Sequence, residues 1–548
     1  MDYKKMAAAF AAGGAVLAAG AAYTMKQKNN KQPGIHFSTG GGRHVYLSDT
    51  SLASLAVAVY LIRDYNFDGD NIHIFAPQEF LGGRCSKANN KEVVLNGNVW
   101  LHENDCCRFW ELFRSIPSVE NKGASVKGDI VHFNQDHPFT LTKLPVLRSQ
   151  KEGSLGVGKK ERRFLEKLVL TSDEKLEKVS VQDWFGENSL FFQSDFWILL
   201  RTLYELKESS SVRFLRTLLL TQTEELRHIK TLEGWMQLPQ HPYDALIVPL
   251  YSYLKGYGVH FHIGASITDI RFSDTYNLRA NHLLVQEGKQ RYQIEVNSDD
   301  LCICALGEEE RRAAFGSMDA SCQIPAESED LWNCLASHRS ELNVPGKLFE
   351  PKDGAQGTFI IKLKETDLIA LLQQANIDNR FWCLADSNWG LSFYMNPQSD
   401  TKDEIADISL YGSVLYPFEL GDYVRKPFAE CTGKEILIEL LSHLGLQEHL
   451  EEIVKQCNAA IPCVLPHAQA AKLAENEPVL NSAKLNDSNF AVLSPYRKIA
   501  SCNWLENQVA QAYDTVENLM HPQIERKEQI AKNLKQQAKA VRLLRQVE

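Results

Sequence analysis

The sequence predicts an α/β protein whose core is interrupted along the chain, and three stretches carry that expectation. The first is "HVYLSDTSLASLAVAVYLIRD", from His44 to Asp64, followed by "NIHIFAP". Val45 to Leu47 suits a short buried strand, Leu52 to Tyr65 is an apolar run without breakers, and "NIHIF" is a second strand. Strand, turn, helix and strand within roughly 30 residues make a βαβ unit. The second stretch, Glu161 to Gly234, holds runs of helical length: "ERRFLEKLVL", "DFWILLRTLYELKE" and "SVRFLRTLLLTQTEEL". The third returns to strands, in "GVHFHIGASITDIRF" and "LLVQEGKQRYQIEVNSDDLCICAL". Together they describe a discontinuous Rossmann-like core, an inserted domain and a mainly helical C-terminal part.

The expected segments are 44–160 and 236–330 for the two parts of the core, with a helical insertion at 161–235. Strands of a further domain fall at 331–430, a return to the core at 431–520, and a basic amphipathic helix at 521–548. That helix has Ile530, Leu534, Val541 and Leu544 among its apolar positions. It suits either an anionic membrane surface or the outside of its own domain.

A chain of 548 residues exceeds one compact domain. A hydrophobic share of 44% supports large cores, and a net charge of -10 argues against a general nucleic-acid binder. The 12 cysteines are scattered, with no pair or Cys/His cluster at metal-site spacing, so no metal is expected. Dilute cysteine in a long chain suits a reduced, cytoplasmic protein. Residues 1–30 complicate this: Lys4 and Lys5 precede an uncharged Ala/Gly-rich stretch that suits a membrane anchor, a cleaved signal or a surface-lying extension. A linker with Pro33 and a Gly triplet follows at 31–43.

Several ordered motifs resemble one family, the oleate hydratases or myosin-cross-reactive antigens. The first βαβ unit, "FWELFRSIPS" (Phe109 to Ser118) and "TLEGWMQLPQHPYDALIVPL" (Thr231 to Leu250) look like its signatures. So do "DSNWGLSF", "LYPFELGDYVRKPFAECTGKEIL" and "IPCVLPHAQA". The similarity runs from about residue 44 to about residue 515. It implies an FAD-type core with an inserted substrate domain, and addition of water to the cis double bond of a long-chain unsaturated fatty acid. FAD would organise the site without net redox change. The resemblance also implies a homodimer that meets a membrane surface through a basic C-terminal region.

Carried over position by position, the family's machinery is partly replaced. The register set by Trp110 puts Glu103 at the water-activating base; an ordinary loop carboxylate is the alternative. The family's His two residues later is Asp105. The proton-donating Tyr position holds Thr217, whose hydroxyl is far less acidic than a phenol. Of the pocket-lining Thr-x-Asn-x-x-x-His loop only Asn396 survives, with Tyr394 and Asp400 at the outer positions. The GxGxxG turn that would cradle the FAD diphosphate has Asp49, Ser51 and Ser54 at its glycine positions. Asp49 there is expected to cap the following helix instead. The ribose-binding acid is Ala76, and Gly82-Gly83 remain as a flavin-loop feature or a plain turn. Three readings follow: an active FAD-dependent hydratase, a non-catalytic lipid-binding or membrane-associated paralogue, and a flavin oxidoreductase. Residue chemistry favours the second.

Overall fold

The computed structural model describes residues 34–35, 42–77, 81–87, 99–138, 155–273, 278–307, 313–324, 331–342, 351–363, 381–384, 386–396, 408–473, 488–497, 501–521 and 527–544. The N-terminal segment at 1–30 and Asp400 lie outside them. Among the described residues no helix is long and apolar enough to cross a membrane.

The chain opens with β1 (Val45–Leu47), α1 (Leu52–Tyr65) and β2 (Ile72–Ala76). A two-residue ladder, β3 (Leu101–His102) with β4 (Trp235–Met236), brackets a helical region. That region holds α2 (Cys107–Ser115), α3 (Lys159–Leu170), α4 (Asp195–Tyr204), α5 (Val212–Thr221) and α6 (Thr223–Arg227). After α7 (Val248–Gly256) come β5 (His260–Ile263), the antiparallel meander β6 (Ala265–Phe272), β7 (Ala280–Glu287) and β8 (Gln290–Glu295), and then β9 (Leu301–Ala305). A second sheet uses β10 (Ala314–Phe315), β11 (Gln356–Leu363), β12 (Phe381–Cys383), β13 (Leu391–Asn396), β14 (Ile408–Val414) and β15 (Cys457–Leu465), with α8 (Gly433–His443) against it. The chain then returns through β16 (Phe490–Leu493) and ends in α9 (Trp504–Met520) and α10 (Lys527–Leu544).

The first sheet runs β16-β9-β1-β2-β5, with every neighbouring pair parallel. In order of chain passage this is the Rossmann arrangement, with the two halves diverging between β1 and β9. Its strands are buried on both faces, which explains their unbroken apolar sequence. Val45, Leu47, Ile72, Ile74 and Ile303 enter the main core under α1 and α9. Tyr46, Phe75, Cys302 and Cys304 pack on the other face, toward the meander.

The second sheet runs β10-β15-β11-β14-β13-β12 and is antiparallel throughout. Alternation along its strands separates two faces. Phe359, Ile361 and Phe393 pack with Leu437 and Leu440 of α8, whereas Ile360, Tyr394, Tyr411 and Leu465 join the main core. The second sheet thereby becomes one wall of the region between itself and the parallel sheet.

Two further features matter below. His44, His73 and His262 form a hydrogen-bonded row across β1, β2 and β5, each link 3.2 Å long. Burial, reinforced by the neighbouring imidazoles, pushes His73 down to about 2 and His262 to about 4. Helix α10 packs along α3, α5 and α6, burying Ala540, Leu543 and Leu544. Lys539 also pairs with Glu224 at 2.9 Å. The described apolar face of this basic helix is therefore covered by the protein's own core.

Candidate functional site

The carboxyl ends of the parallel strands gather the turn after β1, the turn around Gly82 and the start of α9, the usual ligand position in such sheets. At the β1–α1 turn the N-cap is Ser51, whose hydroxyl accepts from Ser54 N. Asp49 stands behind it rather than capping directly. Its Oδ1 accepts from Ser51 N at 3.2 Å, from Ser51 Oγ at 2.9 Å and from Ser54 Oγ. The carboxylate is 7% exposed, so these bonds are shielded from water. The turn thus contains its own anion at the helix N-terminus. A second anion at ~5 Å and an effective dielectric near 20 costs about 3 kcal/mol. Ala76, at the end of β2, offers no carboxylate for a ribose. These residues do not fit the diphosphate and ribose of a dinucleotide.

Gly82 and Gly83 have φ of +94° and +56°. Gly82 N donates to Thr50 Oγ1 at 2.9 Å, and a Cβ at Gly82 would meet Ile247 and Tyr243 at 3.0 and 3.2 Å. The glycine pair is required by the turn and by close packing on the Tyr243–Ile247 segment. Asp49, Ser51 and Gly82 do come together in one corner.

The three catalytic candidates sit on three different elements. Glu103 is exposed in the turn after β3, where its backbone N donates to Gly234 O at 3.3 Å. Thr217 is half-buried on α5, and its carbonyl accepts from Thr221 Oγ1 at 2.8 Å. Asn396 closes β13 opposite Ser409. Neither Glu103 nor Thr217 is among the described residues that line the two cavities described next.

Those cavities lie side by side between α4, α6 and the start of α9. The smaller has about 320 Å³ free of atoms, part of it open to solvent, with Val99, Trp100, Trp235 and Leu505 around Tyr204 and Glu225. The larger, about 690 Å³ on the same measure, is lined by Arg84, Glu205, Phe214, Lys472 and Trp504 among others. Leu203, Tyr204, Cys502 and Trp504 line both. Their linings mix aromatic and aliphatic side chains with buried polar and charged groups.

Tyr204 Oη donates to Glu225 Oε2, while Gln222 Nε2 donates to Glu225 Oε1 at 3.2 Å. Burial pushes Glu225 up to about 8 despite the opposing Tyr204 and Gln222 bonds, and raises the Tyr204 phenol well above its ordinary value. At neutral pH Glu225 holds a proton for most of the time. Glu506, one turn into α9, accepts from Arg108 N and Phe109 N at 3.0 and 2.8 Å, and burial raises it to about 7. Asp105 is tied to the same cluster: its Oδ2 accepts from Glu224 N and Glu225 N at 2.9 and 2.8 Å. Asp105 thereby caps the N-terminus of α6. In the sequence, "TQTEELR" has the look of a solvated charge run, and only tertiary packing turns Glu225 inward.

Fold and site together define a Rossmann-like α/β protein with two adjoining cavities of mixed lining and a carboxyl raised by burial. The MCRA family model matches residues 42–500, and the chain belongs to the MCRA family. It is 26% identical over 436 residues to an oleate hydratase of Streptococcus pyogenes serotype M49 (strain NZ131), spanning 74% of this chain and 72% of that one. It is 26% identical over 477 residues to a linoleate hydratase of Lactiplantibacillus plantarum, spanning 76% and 83%. Among solved structures it is similar to a CLA-producing fatty acid isomerase from P. acnes, with 12% identity, a TM-score of 0.47, and 88% and 99% of the two chains covered. It is also similar to an oxidoreductase from Methanosarcina mazei, with 12% identity, a TM-score of 0.43, and 87% and 100% covered.

Proposed function

We propose that this chain binds a long-chain unsaturated fatty acid and does not hydrate it by the FAD-assisted route expected from its family. The relatives named oleate and linoleate hydratase support the fatty acid as ligand. One observation carries the loss of the cofactor route: the Asp49 carboxylate already accepts from the Ser51 amide and the Ser51 and Ser54 hydroxyls. Neither Glu103 nor Thr217 is among the described residues lining the cavities, which supports the loss of the family's acid and base. The test is purification of the full chain, a visible spectrum, and incubation with oleate and added FAD. The expected result is a colourless protein that binds oleate and forms no hydroxy fatty acid. A yellow protein that adds one water to oleate overturns the reading.

A second reading, hydration by a rebuilt site, is favoured by one observation. Tyr204 and Glu225 place a protonated carboxyl and a phenol beside an apolar cavity, as protonation of an alkene needs. Loss of product formation in Glu225→Gln, in a chain that otherwise hydrates oleate, selects it. We also assign a cytoplasmic, membrane-facing location and a homodimer. The exposed Arg542 on α10 supports contact with an anionic surface. Flotation with anionic vesicles and mass measurement in solution test these assignments.

A further inference from the structure

Ligating side chains also gather at the antiparallel meander. Strand β6 carries a bulge: Ile267 pairs with Val285 and Asp269 with Leu284, so Thr268 and Asp269 share one partner residue. The bulge shifts the phase of the strand, and Ile267 and Ile270 both enter the core beneath the meander. Asp269, set between them, comes out half-buried at the rim of that core. The helix Leu331–His338 packs on β6 and sends Leu331, Trp332 and Leu335 into the same core. Cys334 and His338 lie four positions apart on this helix, which stacks them on a single face.

The three side chains converge. His338 Nε2 lies 3.5 Å from Asp269 Oδ1, and one ligand atom from each of Asp269, Cys334 and His338 falls within 4.8 Å of the others. A tetrahedral zinc site with bonds of ~2.0–2.3 Å has ligand-to-ligand edges of roughly 3.3–3.8 Å. The carboxylate–imidazole edge is already of that size. Asp269 Oδ1 also accepts from Ile270 N at 2.8 Å, which steadies the carboxylate. His338 Nδ1 lies 3.5 Å from Ser337 Oγ, which leaves Nε2 on the side of Asp269. Thiolate, imidazole and carboxylate are the three ligand types that zinc takes.

A second grouping, Asp422, Glu439 and His443, has a different explanation. The Glu439 oxygens accept from Asp422 N, Tyr423 N and Val424 N at 2.7, 3.0 and 2.7 Å. Those bonds tie the 422–424 segment to α8, a structural task that accounts for the buried carboxylate.

We propose that Asp269, Cys334 and His338 bind a divalent ion of the zinc class, with one further ligand completing the tetrahedron. On binding, the Cys334 thiol gives up its proton to solvent, and thiolate, imidazole and carboxylate each donate an electron pair to the ion. The ion fastens the helix Leu331–His338 to β6. The expectation of no metal came from spacing along the chain. Cys334-x-x-x-His338 supplies two ligands, and the third arrives from a strand of an earlier segment.

Cobalt(II) is the probe, because a thiolate bound to it gives a charge-transfer band in the near ultraviolet and a tetrahedral site gives intense visible absorption. The reduced, chelator-treated full chain is titrated with cobalt chloride. A stoichiometric amount should produce both features, and equimolar zinc should remove them. Cys334→Ser should abolish the charge-transfer band, while His338→Gln and Asp269→Asn should each weaken cobalt binding at least ~10-fold. Cobalt held at Asp422, Glu439 and His443 would lack the thiolate band, and a spectrum without that band overturns the proposal. So does a thiolate band that survives in Cys334→Ser, or a cobalt affinity unchanged in His338→Gln. Melting profiles check the fold of each variant; should Asp269→Asn fail there, Cys334→Ser and the exposed His338→Gln decide the question.

Discussion

Two carboxyls held away from water, Glu225 and Asp49, carry much of the chemistry at this scale. Glu225 has a folded pKa of about 8 against an ordinary value of 4.5. A raised carboxyl favours the fold fully below pH 4.5, and that contribution is lost as pH rises toward 8. Glu225→Gln should therefore gain stability over the wild type as pH rises, by about 3 kcal/mol between pH 5 and pH 8. Denaturant curves at the two pH values check this; a difference independent of pH would mean that Glu225 is ionised throughout. Asp49 yields a separate expectation. Asp49→Gly combined with Ser51→Gly should increase FAD retention, measured by absorbance at the flavin band after gel filtration. No gain at all would place the loss of the cofactor elsewhere. Such details were only half legible in the sequence. Asp49 and Ser51 were visible as misfits to a diphosphate turn, but not that Ser51 would be the cap and Asp49 its support. Glu225 gave no signal, because "TQTEELR" has the composition of a surface helix.

Elements were easier to anticipate than the contacts between them. The β1–α1–β2 unit follows from an apolar run flanked by turn residues, and the observed helix has the expected bounds, Leu52–Tyr65. The five-stranded parallel order is a long-range property: β16 lies 185 positions after β9 ends, counted from Ala305 to Phe490, yet pairs directly with it. The basic C-terminal helix suited both membrane and self-docking, and periodicity does not separate the two, since an apolar stripe is required by either. The histidine row was equally hidden. His73 and His262 have folded values of about 2 and about 4, below the unfolded 6.5. A depressed His favours the fold above pH 6.5, and that contribution is lost as pH falls. Glu225 and Glu506 act in the opposite sense across this range, so the His effect is read against a variant. His73→Phe should gain about 1 kcal/mol relative to wild type between pH 7.5 and pH 5.5, the contribution of one such imidazole. The same relative stability at both pH values would contradict the depressed titration of His73.

At the scale of the whole molecule, family membership was legible because signature segments are short, ordered and spread over most of the chain, whereas activity depends on side chains at a few points. The structure separates these levels. The fold is kept from β1 to α9, while neither Glu103 nor Thr217 is among the described residues that line the cavities. The two cavities meet at Leu203, which is 4% exposed and lines both. Leu203→Trp should block passage between them and weaken oleate binding at least ~10-fold, while overpacking costs about 1–3 kcal/mol of stability. Binding isotherms with a melting control test it; unchanged affinity in a folded variant would show that the chain of the ligand does not cross at Leu203.

The corner at Asp49 also bears on how this protein can change over generations. Asp49, Ser51 and Ser54 satisfy one another, so each is now the context in which the others are tolerated. Asp49→Gly alone would strip the buried Ser54 hydroxyl of its acceptor, at about 1–3 kcal/mol for a group left without a partner. Ser51→Gly alone would remove the cap of α1 and leave the carboxylate facing the helix start with fewer donors. Either first step back toward a nucleotide turn is uphill, and only the pair restores the glycine backbone. The bonding of three small side chains thus works as a ratchet: once closed, it resists change at any one of its three positions.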